Sequence, residues 1–471
     1  MTDRRWRRAA VVGGGICGLV AARVLADHFE EVVLLERDAL PEGAEPRKGV
    51  PQARHVHGLL ARGSGHLEEL FPGLRDELLA AGAPLFDHGD MASTTVWAGT
   101  VPRTKVGVPA HAFSRDLLES TLRRRVAALP QVAVRDATPV EGLQWDATAT
   151  RVDGVVLNRA ATGTEVLPAD LVVDASGRFS ALPDWLEKAG YPRPRTTVVD
   201  AGLAYSTQVF EAPPQSFLGL QQMNSAPHNP RGTFVARVEG DRWVVTLFGA
   251  GGDHPPKDSD GWLEFAKGLG NPDLDGLIAS GSAFSGVHHF SRTENRRTEY
   301  AKLARWPDRL IALGDSACAF NPVFGQGMTV AVLEALALGE ALTRRRSRCG
   351  ERGGELGGLA RRFQRKVAGI VRLPWLMSIS EDLVWHHYRE GRTRLPLLLG
   401  ASNWYKQRLV HLVVHDPQVF RTFLRVYHML TPPTAMAAPR ILAKALFRGV
   451  SPKKPQAARV SAGPDARQAR R

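Results

Sequence analysis

Three glycines, Gly13, Gly15 and Gly18, stand between a short apolar run (Ala9–Val12) and a segment with helical apolar spacing at Leu19, Ala22 and Leu25. Residues of this type at this spacing can hold a diphosphate. Gly13 permits a tight turn, Gly15 leaves bare backbone for an anion to approach, and Gly18 lets helix and strand pack closely. The helix that starts here offers unpaired N–H groups and a partial positive charge. A second apolar run, Val32 to Leu35, ends at Glu36, whose carboxylate can accept both hydroxyls of a ribose and would repel a 2′-phosphate. FAD or NAD is therefore expected here in preference to NADP. A lone G-x-G-x-x-G says little; this one follows a strand, opens a helix and has its acid at the end of the next strand.

Two further segments carry chemistry. Arg309–Leu313 reads as a buried strand running into Gly314 and Asp315, followed by Asn321, Pro322, Val323, Phe324, Gly325, Gln326, Gly327 and Met328. Pro322 biases Asn321 away from helical geometry, so a helix is expected from Thr329 to about Leu342, with bare N–H groups at Gly325 and Gly327 to stabilise negative charge. Asp170–Asp174 is another apolar strand, ending in Ala175, Ser176, Gly177 and Arg178; Asp174 and Gly177 also suit a purely structural turn.

These segments together resemble the p-hydroxybenzoate hydroxylase superfamily of FAD-dependent monooxygenases, and the likeness runs from about residue 9 to 345. More closely, Arg47–His55 (RKGVPQARH) and Asn321–Met328 resemble bacterial polyether epoxidases and related natural-product oxygenases. The resemblance implies FAD as the bound cofactor. Asp315 would hold a ribityl or pyrophosphate-side hydroxyl, and the backbone at Gly325, Gly327 and Met328 would face the N1/C2=O edge of the flavin. Arg115, at the start of a helix, together with Arg37, Gln52 and Arg54, would complete the contacts, and the strand ending at Asp174 is linked to NAD(P)H. By the same resemblance NAD(P)H is a transient electron donor, O2 is the co-substrate, and a flavin C4a-hydroperoxide delivers oxygen to a lipophilic polyketide, terpenoid or aromatic substrate by epoxidation or hydroxylation. The cofactor carries the hard chemistry, so no catalytic side chain is named. A reductase of the geranylgeranyl-reductase type, a halogenase (whose Trp-x-Trp-x-Ile-Pro motif is absent) and a non-catalytic flavin-binding protein stay open as alternatives.

The elements that must position these residues form an α/β chain. The expected fold is a Rossmann-like FAD-binding domain with a mixed sheet, an antiparallel-sheet substrate domain and a helical C-terminal region. The FAD-binding domain is placed at residues 9–190, with a substrate-side insertion near 60–110, and closes at 296–345. The sheet domain is placed at 191–295, the helical region at 346–450 after a basic loop at Arg344–Arg348, and a disordered basic tail at 451–471. In the sheet domain, Gly232–Val238 and Arg242–Phe248 flank a Glu239-Gly240-Asp241 turn as an antiparallel hairpin. Tyr205, Phe210, Phe234, Trp243 and Phe248 are candidates for its pocket face, with core packing as the alternative. Trp385, His386, Trp404 and Tyr405 are packing or pocket candidates, and the basic Pro439–Arg448 stretch reads as a helix packed on its own domain.

Composition narrows the class. A chain of 471 residues exceeds what one core fills, and 44% hydrophobic with 23% charged residues is ordinary for a globular enzyme. Cys17, Cys318 and Cys349 form no CxxC pair, which argues against a disulfide reductase and for a reducing, cytoplasmic setting. His55 and His57 alternate without a third ligand, so no metal site is expected. Of the net charge of +13, the tail 451–471 holds +5 and residues 1–8 hold +3, leaving +5 over the 442 residues between. Charge in loose ends forms no groove for nucleic acid. The basic start followed by an apolar run resembles a secretory leader, but the glycines, Arg23 and the lack of a cleavage site oppose that reading. No transmembrane segment and no internal repeat is present, and the sequence indicates no oligomeric state.

Overall fold

Trp6–Val12 is flanked on both sides by parallel strands, and its last four residues are buried. The computed structural model describes residues 5–159, 163–349, 356–392 and 394–447. The central sheet has five strands in the order Leu310–Ala312, Leu171–Asp174, Trp6–Val12, Phe29–Leu35 and Val132–Arg135. Every pairing in it is parallel, so the antiparallel strands expected within a mixed sheet form separate sheets instead. Strands covered on both faces need apolar residues at successive positions, which explains the runs Ala9–Val12 and Val32–Leu35. Two helices pack together on this sheet, Ile16–Leu25 and Gly327–Cys349; a Cβ added to Gly339 would lie 2.8 Å from Val24.

The second large sheet has eight strands. Its centre is the expected hairpin, Arg231–Val238 against Arg242–Gly249, joined by a short 3-10 turn at Glu239–Asp241. Strand Ala92–Val96, from the first part of the chain, joins this sheet beside Gly219–Gln222. Side chains an odd number of residues apart on a strand point to opposite faces. Phe210 and Trp243 therefore face away from the cavity described below, into a core with Trp262 of helix Ser259–Lys267. Tyr205, Phe234 and Thr246 face the cavity, and Phe248 is fully buried behind Tyr205 and Phe234. Of the five aromatic pocket candidates, Phe210, Trp243 and Phe248 are thus core.

Helix Gly327–Cys349 runs through Arg344–Arg348, which corrects the expected basic loop. Arg344 pairs with Glu340 one turn earlier and Ser347 donates to the Thr343 carbonyl, so the segment has helical partners. Beyond it lie helices Leu359–Arg389, Leu397–His415, Pro417–Tyr427 and Pro439–Phe447. Trp385 is buried in a cluster with Tyr205 and Phe248, while His386 pairs with Glu390. The Arg408 guanidinium lies over the half-exposed Trp404 ring, and Tyr405 donates to the Met436 carbonyl. None of these four candidates lines the cavity. The closing helix packs through Ile441 and Ala445. The tail 451–471 lies outside the described residues. No described helix is long and apolar enough to cross a membrane.

Candidate active site

A cavity of about 620 Å³ runs from the start of helix Ile16–Leu25 to the face of the eight-stranded sheet. Gly13, Gly15, Glu36, Arg37, Gln52, Arg115, Asp315, Gly325, Gly327 and Met328 line it; Gly18 and Arg54 do not. Gly18 has the packing role expected of it, since a Cβ there would lie 1.8 Å from the Gly13 carbonyl oxygen. Arg54 is exposed and donates to His288, 3.1 Å away. The 3-10 turn Pro51–Arg54 explains this, because it buries Ala53 and turns Arg54 outward.

At the helix end of the cavity the geometry is that of an anion cradle. Gly15 is the residue preceding the helix, and no side chain caps the N–H groups there. A Cβ on Gly15 would meet only guanidinium groups, Arg47 at 3.7 Å and Arg115 at 4.0 Å. Arg115 opens helix Arg115–Ala127, whose start is capped by Ser114, and it pairs with Glu119 at 3.2 Å. Its buried Nε has no hydrogen-bond partner among the described residues. Arg47 is nearly buried and bridges Glu36 at 2.9 Å and Glu119 at 2.7 Å, carboxylates that hold its pKa up against the effect of burial. Arg47 was not singled out from the sequence; its partners lie at positions 36, 38 and 119, and no local pattern links them.

Glu36 is buried and already engaged. It accepts the Gly14 N–H at 2.8 Å and the Asp38 N–H at 3.0 Å in addition to Arg47. A carboxylate has roughly four acceptor positions, so room is left for one ribose hydroxyl more readily than two. Asp174 holds its turn together, accepting from Ser176 and Ser180, and does not reach the cavity. Gly177, at φ +90°, and Arg178 do line it, and Arg178 is anchored on the Glu294 carbonyl at 2.7 Å.

Asp315 lines the cavity and is exposed to it, with protein packed around the rest of its side chain. That environment pushes its carboxyl up, against the pull of Arg178 and Arg115. Behind it, Glu334 accepts the Gly314 N–H at 2.6 Å, and its other oxygen has no partner among the described residues. Burial pushes Glu334 up to about 8. An acid whose folded pKa is raised loses its contribution to stability as pH climbs through that pKa. Glu334→Gln is therefore expected to gain on the parent as pH rises from about 4.5 to about 8, by at most about 1.4 kcal/mol per pH unit. Urea denaturation of flavin-free protein across that range checks this, and parallel profiles for the two proteins would refute it.

At the sheet end, Tyr205, Phe234 and Phe290 supply rings, and His55, His57 and His289 supply imidazoles. Burial and neighbouring cations lower all three, His55 to about 4 and His57 to about 3, so His55 and His57 are neutral at pH 7. His55 Nδ1 is 2.7 Å from the Thr207 hydroxyl, which is 2.6 Å from that of Thr246, and Thr246 also accepts the Val56 N–H. Sequence reasoning missed Thr246 as a wall residue because only strand register decides which face it takes.

A helix-start anion cradle, an acidic turn at Gly314–Asp315 backed by the buried Glu334 and a ring-lined wall on a second sheet define a flavin-dependent oxidoreductase. Two observations test whether FAD fits: the cradle at Gly15 has room that a side chain would occupy, and the buried Gln326 Oε1 on the cavity wall has no partner among the described residues. The residues fit the group. The FAD binding domain family matches residues 7–350, and the chain belongs to that family, among flavin monooxygenases of the p-hydroxybenzoate hydroxylase type. Protein Rv3254 of Mycobacterium tuberculosis is 34% identical over 443 residues, spanning 90% of this chain and 89% of its own. Kynurenine 3-monooxygenase of Salinispora tropica is 26% identical over 353 residues, spanning 72% of this chain and 74% of its own. Among solved structures, a triple mutant of the flavin-dependent brominase Bmp2 matches with a TM-score of 0.64 over 94% of this chain and 99% of that one. At 13% identity that likeness is one of fold alone.

Proposed function

We propose that this FAD-dependent monooxygenase uses NAD(P)H and O2 to epoxidise or hydroxylate a lipophilic natural-product intermediate, such as a polyketide, terpenoid or aromatic compound, in the cytoplasm. The observation that carries the reading is one continuous cavity with a cationic, glycine-lined end and a wall of rings and neutral imidazoles. The likeness of Arg47–His55 and Asn321–Met328 to polyether epoxidases supports the substrate class.

When bound, FAD supplies the reducing and oxygen-transferring chemistry. Arg47, Arg115 and the N–H groups at the start of Ile16–Leu25 would hold its diphosphate, Glu36 a ribose hydroxyl and Asp315 a ribityl hydroxyl. Gln52, Arg37, Gly325, Gly327 and Met328 complete the cofactor's side of the cavity. The protein's remaining task is to hold substrate against the flavin and keep water out. Tyr205, Phe234 and Phe290 bury apolar substrate surface, while the uncharged His55–Thr207–Thr246 chain offers polar contact without a carboxylate-binding charge.

Turnover under 18O2 with a panel of polyketides, terpenoids and phenols tests this. One labelled oxygen atom per product, with matching NAD(P)H oxidation, is the expected result. Reduction without incorporation would replace the proposal with a geranylgeranyl-reductase-type activity, and bromide- or chloride-dependent halogenation with a halogenase. Bound flavin with no NAD(P)H oxidation on any substrate would favour a non-catalytic flavoprotein.

A further inference from the structure

Helix Leu359–Arg389 sends a carboxylate, Asp382, into the interior behind the cavity, where it is 2% exposed. Its Oδ2 accepts from the side-chain amides of Asn295, at 2.6 Å, and Asn321, at 2.9 Å. The Asn295 side-chain oxygen accepts in turn from the Asn321 backbone N–H, at 2.9 Å, and from the hydroxyl of Ser378, at 2.6 Å. Ser378 lies one turn before Asp382 on the same helix, so two residues of that helix grip one pair of asparagines. Asn321 then accepts the Val323 N–H with its own oxygen, capping the turn Pro322–Phe324 that ends at Gly325.

All four side chains are buried. Placing a carboxylate there costs several kcal/mol unless it is well partnered. Burial pushes the Asp382 carboxyl up to about 7, and what it provides in either protonation state is one oxygen that accepts from both amides at once, which an apolar residue in its place would not. Asn321, Pro322 and Gly325 are cavity wall, so the network ends where the cofactor's ring would lie.

We propose that Asp382 is a positioning residue: through Asn295 and Asn321 it sets the Asn321–Gly325 turn against the cavity and so fixes the backbone at Gln326–Met328; the Gly325 N–H, expected to be bare, instead closes the turn on the Pro322 carbonyl at 2.9 Å. The helical C-terminal region thereby shapes the flavin site without touching the cofactor. This inference rests on the FAD reading above.

The test has two readouts on the full-length chain. Amide hydrogen exchange of flavin-free protein reports the turn directly. Asp382→Ala is expected to speed exchange at residues 321–328 at least about tenfold, with the hairpin Arg231–Gly249 unchanged. FAD titration by fluorescence quenching, with visible circular dichroism of the bound flavin, reports the consequence. Asp382→Ala should raise the FAD dissociation constant by about tenfold or more and alter the flavin's dichroism. Asp382→Asn, which keeps an acceptor oxygen for both amides, should stay within about threefold of the parent. Should Asp382→Ala fail to fold, Ser378→Ala loosens the same network, and exchange at 321–328 should still rise. Unchanged exchange in a folded variant overturns the inference. Altered exchange in a protein that takes up no flavin sinks the FAD reading instead and leaves the positioning of the turn standing.

Discussion

Gly15→Asp is expected to leave the protein at least as stable as its parent while raising the FAD dissociation constant about a thousandfold. Gly15 sits at φ −74° and ψ 179°, a backbone conformation open to any residue, and an added Cβ meets nothing closer than the Arg47 guanidinium at 3.7 Å. Aspartate also caps helix starts well, so stability should hold or improve by about a few tenths of a kcal/mol. The new carboxylate, however, takes the place prepared for a phosphate. It would pair with Arg47 and Arg115 and repel the diphosphate. Two like charges about 4 Å apart at an effective dielectric of about 20 interact by roughly 4 kcal/mol, which corresponds to about three decades in affinity. Thermal unfolding and flavin titration check the two halves separately. A Gly15→Asp protein that purifies fully loaded with FAD would show that the diphosphate lies elsewhere.

Gly18→Ala is expected to do the reverse and damage the architecture first. Its Cβ would stand 1.8 Å from the Gly13 carbonyl oxygen, 3.0 Å from the Gly13 carbonyl carbon and 3.4 Å from Leu34. The oxygen belongs to the backbone of the tight turn itself, so no side chain can swing aside. Either the helix lifts from the strand or the turn opens, and over-packing of this kind costs about 3 kcal/mol. Denaturant unfolding should show that loss in flavin-free protein, with weakened FAD uptake as a consequence. Gly15→Ala is the control, since its Cβ has space; equal melting temperatures for Gly18→Ala and Gly15→Ala would refute the argument.

The contrast between these glycines marks how far local sequence reaches. Spacing alone assigns Gly18 to packing and Gly15 to a ligand, because both roles follow from the geometry of one turn and one helix start. Side chains that meet across the fold were less legible. Arg47 belongs to a stretch that stood out in the sequence, yet its role depends on Glu36 and Glu119, which only the packing of three elements brings to it. Arg54, from the same stretch, is turned outward by a 3-10 turn whose sense the residue types do not specify. Phe210 and Trp243 are as aromatic as Tyr205 and Phe234, and strand register alone sends them to opposite faces.

The amino-acid sequence by itself therefore determined the glycine-rich turn, the buried strands that flank it and the antiparallel hairpin. Each of these is written in contiguous residues by short-range rules of backbone freedom and hydrophobic period. Tertiary structure alone decided which cations share the cradle at Gly15, which rings form the wall, and that Asp382 stands behind Asn321. Those contacts join residues that are far apart in the chain, and which pairs meet depends on how the sheets and helices pack, a choice that no short window of sequence contains.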